Sequence, residues 1–523
     1  MISGCRLRHR AFFAGRLMVL ALLLCGLSGA QTPEASHQLR FATPRERLQR
    51  AEHGADLLLR THPGDAAALG DRGLARLRLG KNDAAINDLR RATALNPRSS
   101  DIQANLAYAL WTLGRTPEAL ASAQRSLVLN PNNISAHATL GRILLYNQEK
   151  AAEAVPHLQR ALDLDPEESD LRFDLFNAFR QTHDLGAAGM QIKLLKLLSP
   201  PQDPRVLYAE GLLLAEAGNP DAAARRYQQA LAANPSFVPA RQDLGVAFTQ
   251  LGRWPEAVAV LAPLTQQQPT SYPVAYLYAL ALHNAHQDHA EAEAMRALAL
   301  APRSAEAHTL VGIIQSSRGD HTHAVVSLRR AIQLDPKNFD AQFYLGRDLY
   351  ALSEMAAASQ AFQSAVALRP EDPQPRFFLA TALEAAGLKD DAISQYRNLV
   401  QRRPDDPRGY IGLGVILSKY GQDQEALRML QRAHELEPHG YESSLALGRM
   451  LLKNGAEESI GLLRDAVSLQ PDSPEAHYQL GLGLKRFGKS IEADREFATV
   501  QRLNQAHRSP EAPVGTLSPP PVP

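Results

Sequence analysis

The sequence predicts an all-α solenoid of about thirteen helix–turn–helix units, and two observations carry that expectation. First, a proline recurs along the chain: Pro63, Pro97, Pro131, Pro166, Pro200, Pro235, Pro269, Pro302, Pro336, Pro370, Pro404, Pro438 and Pro471, in steps of 33, 34 or 35 residues. Second, small and apolar residues keep phase with it, as in Gly73, Ala85, Leu89, Ala92 and Pro97, or Gly346, Ala358, Phe362, Ala365 and Pro370. Self-similarity at this period marks stacked supersecondary units, each burying its apolar face on its neighbours. A stack offers a long surface to partners and no evident chemistry of its own.

The elements follow in order. Residues 31–63 hold a capping half-unit: the stretch 45–61 aligns with a second helix alone, with Ala51, Ala55 and Leu58 in phase. From 66 to 505 each unit carries two apolar stretches at 3.6-residue spacing, helices A and B, separated by a short turn such as Leu113-Gly114-Arg115. Helix A carries Gly73, Gly141, Gly211, Gly245, Gly312, Gly346, Gly414, Gly448 or Gly481 in nine units, and helix B an alanine in all but one, where Ser459 stands. That glycine and the first helix-B alanine are expected to face each other, so that the two helices approach closely. The proline ends helix B because it has no N–H and cannot continue the ladder. Pro200, Pro201 and Pro204 form the densest cluster in the array and predict a kink over 199–204. Residues 506–523, with Pro510, Pro513, Pro519, Pro520, Pro521 and Pro523, read as an extended, disordered tail.

This pattern resembles the tetratricopeptide repeat, W-x2-L-G-x2-Y…A-x3-F…P over 34 residues. The resemblance implies a right-handed superhelix with the A helices lining a concave groove. The chain departs from the pattern where no unit has the tryptophan, where Ala380 replaces the glycine, and where Phe176 does. Carrying the family's groove positions across gives partner-binding candidates Tyr108, Trp111, Arg142, Tyr146, Phe173, Asn177, Arg180, Tyr208, Tyr276, Phe343, Arg347, Tyr350, Phe377, Arg449, Lys453 and Tyr478. Tyr, Trp and Arg dominate binding energy at interfaces. Replacing Tyr108 and Arg142 is expected to weaken binding and leave folding intact. The lysines of a carboxylate clamp are missing, with only Asn177 at a clamp position, and neither the asparagine ladder nor the catalytic domain of the sugar transferases is present.

At the N-terminus, Arg6, Arg8, Arg10 and Arg16 precede an apolar run over 17–27, and Ser28-Gly29-Ala30 follows. Residues 1–30 read as a signal peptide cleaved after Ala30; the run is shorter than the ~20 residues of a membrane span. Both cysteines, Cys5 and Cys25, lie inside it, so the mature chain has no thiol chemistry. A net charge of +1, from 56 basic and 55 acidic residues, lacks the basic stripe that nucleic acid needs.

No phosphate-binding glycine loop, nucleophile elbow or paired catalytic carboxylates appear. His283, His286, His289, His321 and His323 fall in neighbouring turns and are weak metal candidates, since imidazole suits Zn, Ni or Cu but turns often carry polar residues. Asn133-Ile134-Ser135 is a glycosylation sequon at a turn. The sequence therefore reads as a non-catalytic scaffold in the periplasm or cell envelope that binds a protein or peptide, without cofactor, small-molecule substrate or nucleic acid. The alternative reading is a regulatory or assembly subunit of a secretion, polysaccharide-export or enzyme complex.

Overall fold

A computed structural model describes residues 45–506. The expected leader, both cysteines and the proline-rich tail lie outside the described residues. Among the described residues the chain forms twenty-seven helices joined by short turns, with no strand. No helix among them is long and apolar enough to cross a membrane. They fall into two compact bodies that divide between Gln287 and Asp288. The first holds a leading helix (Arg45–Thr61), six A–B pairs and the A helix Tyr272–Asn284; the second holds the B helix Ala290–Leu300 and six further pairs.

The proline ladder does more than stop helix B. Two residues after it, a short polar residue opens the next helix A. Asp65, Ser99, Asn133, Ser304, Asn338, Asp372, Asp406 and Ser473 accept a backbone N–H of the following turn. Each satisfies donors that an uncapped helix start leaves open. Asn133 caps the Ile134–Tyr146 helix, is 5% exposed, and also donates to Ser100 Oγ and Asp101 Oδ1. The sequon asparagine is thus consumed by the fold.

The A–B turn has its own signature. Each of the thirteen turns contains one left-handed residue: nine glycines, from Gly80 (φ 79°) to Gly488 (φ 78°), and Glu149, His183, His286 and Ser353. A left-handed residue closes the helix end, and glycine does so without a Cβ penalty. Gln202, at φ 64°, is the only left-handed residue in a B–A turn among the described residues, and it lies inside the 199–204 proline cluster.

The helix-A glycine makes room for a different residue than expected. A Cβ on Gly73 would lie 2.7 Å from Leu89 Cγ, and one on Gly211 2.6 Å from Tyr227 Cδ1. The facing side chain is therefore the large one a turn after the first alanine; Ala85 contributes only its carbonyl oxygen, at 3.2 Å from the Gly73 position. The reason is steric: a glycine facing an alanine would leave a void, whereas a glycine facing Leu, Tyr or Phe fills to interior density. The tenth pair shows the trade. Ala380 replaces its glycine, and the Tyr396 ring instead meets Gly412 of the next A helix, at 2.7 Å from its Cβ position to Cδ1.

The leading helix forms, but not on the expected face. Ala51 and Leu58 are exposed, while Glu52 and Leu59 are buried. Charge selects that face. Arg72 donates to Asp56 (2.7 Å) and, bidentately, to Asp88 (2.7 and 2.8 Å), and Arg76 and Lys81 both reach Glu52. Hydrogen bonding from Lys81 holds the Glu52 carboxyl below its usual range, and Arg72 does the same for Asp56.

Candidate interaction site on the A-helix face

In the first body the polar A-helix residues are tied to the next repeat. Trp111 Nε1 donates to Asn147 at 2.9 Å, and Arg142 Nε to Asp174 at 2.6 Å. Tyr146 Oη donates to the other Asp174 oxygen at 2.7 Å and accepts from Asn177 at 3.4 Å. Arg180 donates to Glu216 and Tyr208 to Asp243, each at 2.7 Å. Arg142 and Asp174 are 4% and 3% exposed, and burial pushes the Tyr146 phenol well up, so it stays a donor. Phe173 packs against Phe176 and Tyr208. Trp111, Arg142, Asn177 and Tyr208, with Phe343 and Phe377 of the second body, are buried and belong to the packing between helices. The expectation that Arg142 can be removed without disturbing the fold is therefore corrected: its removal leaves Asp174 buried without its cation. Tyr108 and Tyr276 are half-buried.

The second body differs. On its A helices Phe339–Ala351 and Pro373–Ala385, half-buried aromatic side chains pack on one shared core, and one of them lies under a cation. Arg347 lies over the Tyr344 ring at 5.4 Å and carries no ion pair among the described residues. Tyr350 stands one turn further on, desolvated, with Glu384 near it. Phe378 packs edge-on to Phe343 and stacks on Phe362, each at 5.6 Å. Arg347 and Tyr350 are among the residues read from sequence; Tyr344 and Phe378 were missed, each one position past a candidate that proves to be core. The i, i+3 spacing of Tyr344 and Arg347 was the signal available.

Towards the C-terminus the candidates are exposed and paired. Arg449 reaches Glu475 at 2.7 Å, Lys453 reaches Asp423 at 2.7 Å, and Tyr478 is 47% exposed. Nearby, burial, followed by the charges of Glu475 and Glu437, pushes Glu442 up to about 7 from the usual 4.5. The folded chain then holds this proton more tightly than the unfolded one. Its contribution is full below the unfolded value and is lost as pH rises through about 7. Glu442→Gln is expected to raise the thermal midpoint at pH 8 and to leave it unchanged or lower at pH 5, as scanning calorimetry at both pH values would read.

The histidines of the turns are not drawn into a metal centre. Burial lowers the pKa of His283, His286 is the left-handed residue of its turn, and His289 precedes the Ala290–Leu300 helix. His321 bonds Asp348 at 2.8 Å and His323 bonds Asp320 at 2.8 Å. Among the described residues no group of three or more His, Cys, Asp or Glu is placed to hold a metal ion.

A family model described as tetratricopeptide repeat matches residues 71–134, 312–373, 345–407 and 379–427, and another of the same description matches 214–282. The general transcriptional corepressor ssn6 of Schizosaccharomyces pombe is 29% identical over 121 residues, 23% of this chain. The chain spans 11% of the length of that curated relative. Among solved structures, yeast Tom70 is 18% identical with a TM-score of 0.34, over 86% of this chain and 98% of its own. The APC/C hetero-tetramer Cut9-Hcn1 is 14% identical with a TM-score of 0.42, over 87% and 99%.

Proposed function

We propose that this chain, a tetratricopeptide repeat protein, is an exported protein–protein interaction scaffold that binds a peptide segment along the A helices of its second body. The observation that carries this reading is the half-buried cluster of Tyr344, Arg347, Tyr350 and Phe378. Aromatic and arginine side chains anchor interfaces. A guanidinium held over a ring, with no ion pair among the described residues, keeps its fork of donors for a partner. The fitting partner is a segment with a carboxylate beside an apolar side chain. Export rests on the basic, then apolar, then small-residue order over 1–30.

The test is capture with tagged full-length protein, comparing wild type with Tyr344→Ala/Arg347→Ala. Hot-spot losses of about 2 kcal/mol or more would weaken binding by roughly thirtyfold. The expected result is a partner retained by the wild type and lost by the double variant, at unchanged circular dichroism. Equal retention by both proteins removes this face from the account. Mass spectrometry of the mature N-terminus checks export: a start at Gln31 supports it, and an intact leader on protein from its native host counts against it.

A further inference from the structure

One position recurs in helix A that the repeat pattern does not mark. Six residues after the proline, a side chain reaches back to that proline's carbonyl oxygen: His137 to Pro131, Arg172 to Pro166, Arg241 to Pro235, His308 to Pro302 and His477 to Pro471. In several repeats the same side chain also meets helix B: Arg172 meets Gln191, Arg376 meets Gln395, and His477 meets Glu496. In the third repeat both members of this clasp are imidazoles. His137 Nδ1 and His157 Nδ1 lie 3.0 Å apart, with ring centroids 5.2 Å apart.

We propose that His137 and His157 form a two-imidazole site for a late first-row divalent cation, joining helix A (Ile134–Tyr146) to helix B (Ala151–Leu164). The tautomer supports it. His137 Nε2 sits 2.9 Å from the Pro131 oxygen, which only accepts, so the His137 proton is on Nε2 and Nδ1 presents its lone pair to His157. A ring nitrogen bonded to a backbone carbonyl is the usual way a protein orients a metal-ligating histidine. Both rings are half-buried and so reachable from solvent.

The geometry is close to what a metal requires. With Zn–N bonds of about 2.0–2.1 Å at a tetrahedral angle, the two nitrogens stand about 3.3 Å apart, so they part by a few tenths of an ångström and each ring turns by roughly 35° to aim its lone pair at the metal. Binding replaces the shared N–H···N hydrogen bond. The His157 proton leaves Nδ1 for water and Nε2 takes one from water, so the ring changes tautomer and the proton count is unchanged. Water fills the other coordination positions. Imidazole suits Zn, Cu and Ni alike, with Cu(II) the tightest.

Zinc titration of the full-length protein by calorimetry tests this, with His137→Gln, His157→Gln and, as control, the exposed His323→Gln. Glutamine at 137 keeps a donor for Pro131, and circular dichroism checks folding. The expected result is one zinc site in the wild type, weakened by about tenfold or more in either clasp variant and unchanged in the control. In nitrogen-15 spectra of the wild type, Nδ1 of both histidines shifts on adding zinc. Wild-type protein that takes up no zinc, clasp variants that titrate like the wild type, or Nδ1 resonances that do not move would each overturn the proposal.

Discussion

Gly346→Leu is expected to destabilise its repeat by about 3 kcal/mol, at the upper end of what overpacking costs. Even a methyl group has no room. A Cβ at this position would lie 2.6, 2.7 and 2.9 Å from Cε1, Cδ1 and Cγ of Phe362. That ring cannot step aside: it is fully buried, stacked on Phe378 at 5.6 Å and edge-on to Phe343 at 6.0 Å. Gly461 supplies the contrast. It lies inside the Ser459–Leu469 helix with nothing within 4 Å of its Cβ position. There the ordinary helix preference rules, and Gly461→Ala is expected to stabilise by up to ~1 kcal/mol. The two substitutions thus differ in sign although both replace a helical glycine. Because a stack unfolds by neighbouring repeats rather than as one unit, amide exchange is the right readout. Protection should fall around residues 339–368 in Gly346→Leu and hold elsewhere.

Asp174→Ala is expected to cost about 3–5 kcal/mol, since it strands a buried guanidinium. Arg142 Nε has Asp174 at 2.6 Å, and both side chains are about 5% exposed or less. Tyr146 loses its acceptor in the same step. The Trp111 ring, 5.8 Å from the Arg142 guanidinium, offsets only part of its desolvation, and the Ile134–Tyr146 and Ser169–Gln181 helices part first. Arg464→Ala, by comparison, breaks an exposed pair with Glu492, 52% and 48% exposed, and should change stability by about 0–1 kcal/mol. Urea unfolding of the two variants side by side separates the buried pair from the surface one. Equal, small effects would mean that water reaches Asp174.

The repeat was legible in the sequence because its cause is local. A proline after helix B, a short polar cap two residues later and a glycine in the A–B turn are each answers to backbone hydrogen bonding; the proline returns with every period, the cap and the glycine with most. What face a residue turns to its neighbours was less legible. Gly73 pairs with Leu89 rather than Ala85, because complementarity of volume is a property of three dimensions and not of spacing. The leading helix turned Glu52 inward instead of Ala51, since Arg76 and Lys81 of the next pair decide its rotation. Among the interaction candidates, Arg142 and Tyr208 had the right chemistry for an interface, but their partners lie 32 and 35 residues away in the next repeat. Tyr344 and Phe378 are reachable while Phe343 and Phe377 are core, a difference of one residue that the helical period alone does not decide.

Whether the A-helix face of the second body holds a partner is read out by site-specific photocrosslinking in the native host. A photoreactive residue is placed at Phe378, and in a separate protein at Val326, which is 65% exposed on a B helix. A discrete adduct is expected from position 378 that disappears in an Arg347→Ala background, and none from position 326. Adducts from 326 but not 378, or the same adduct from both, would contradict a partner on that face.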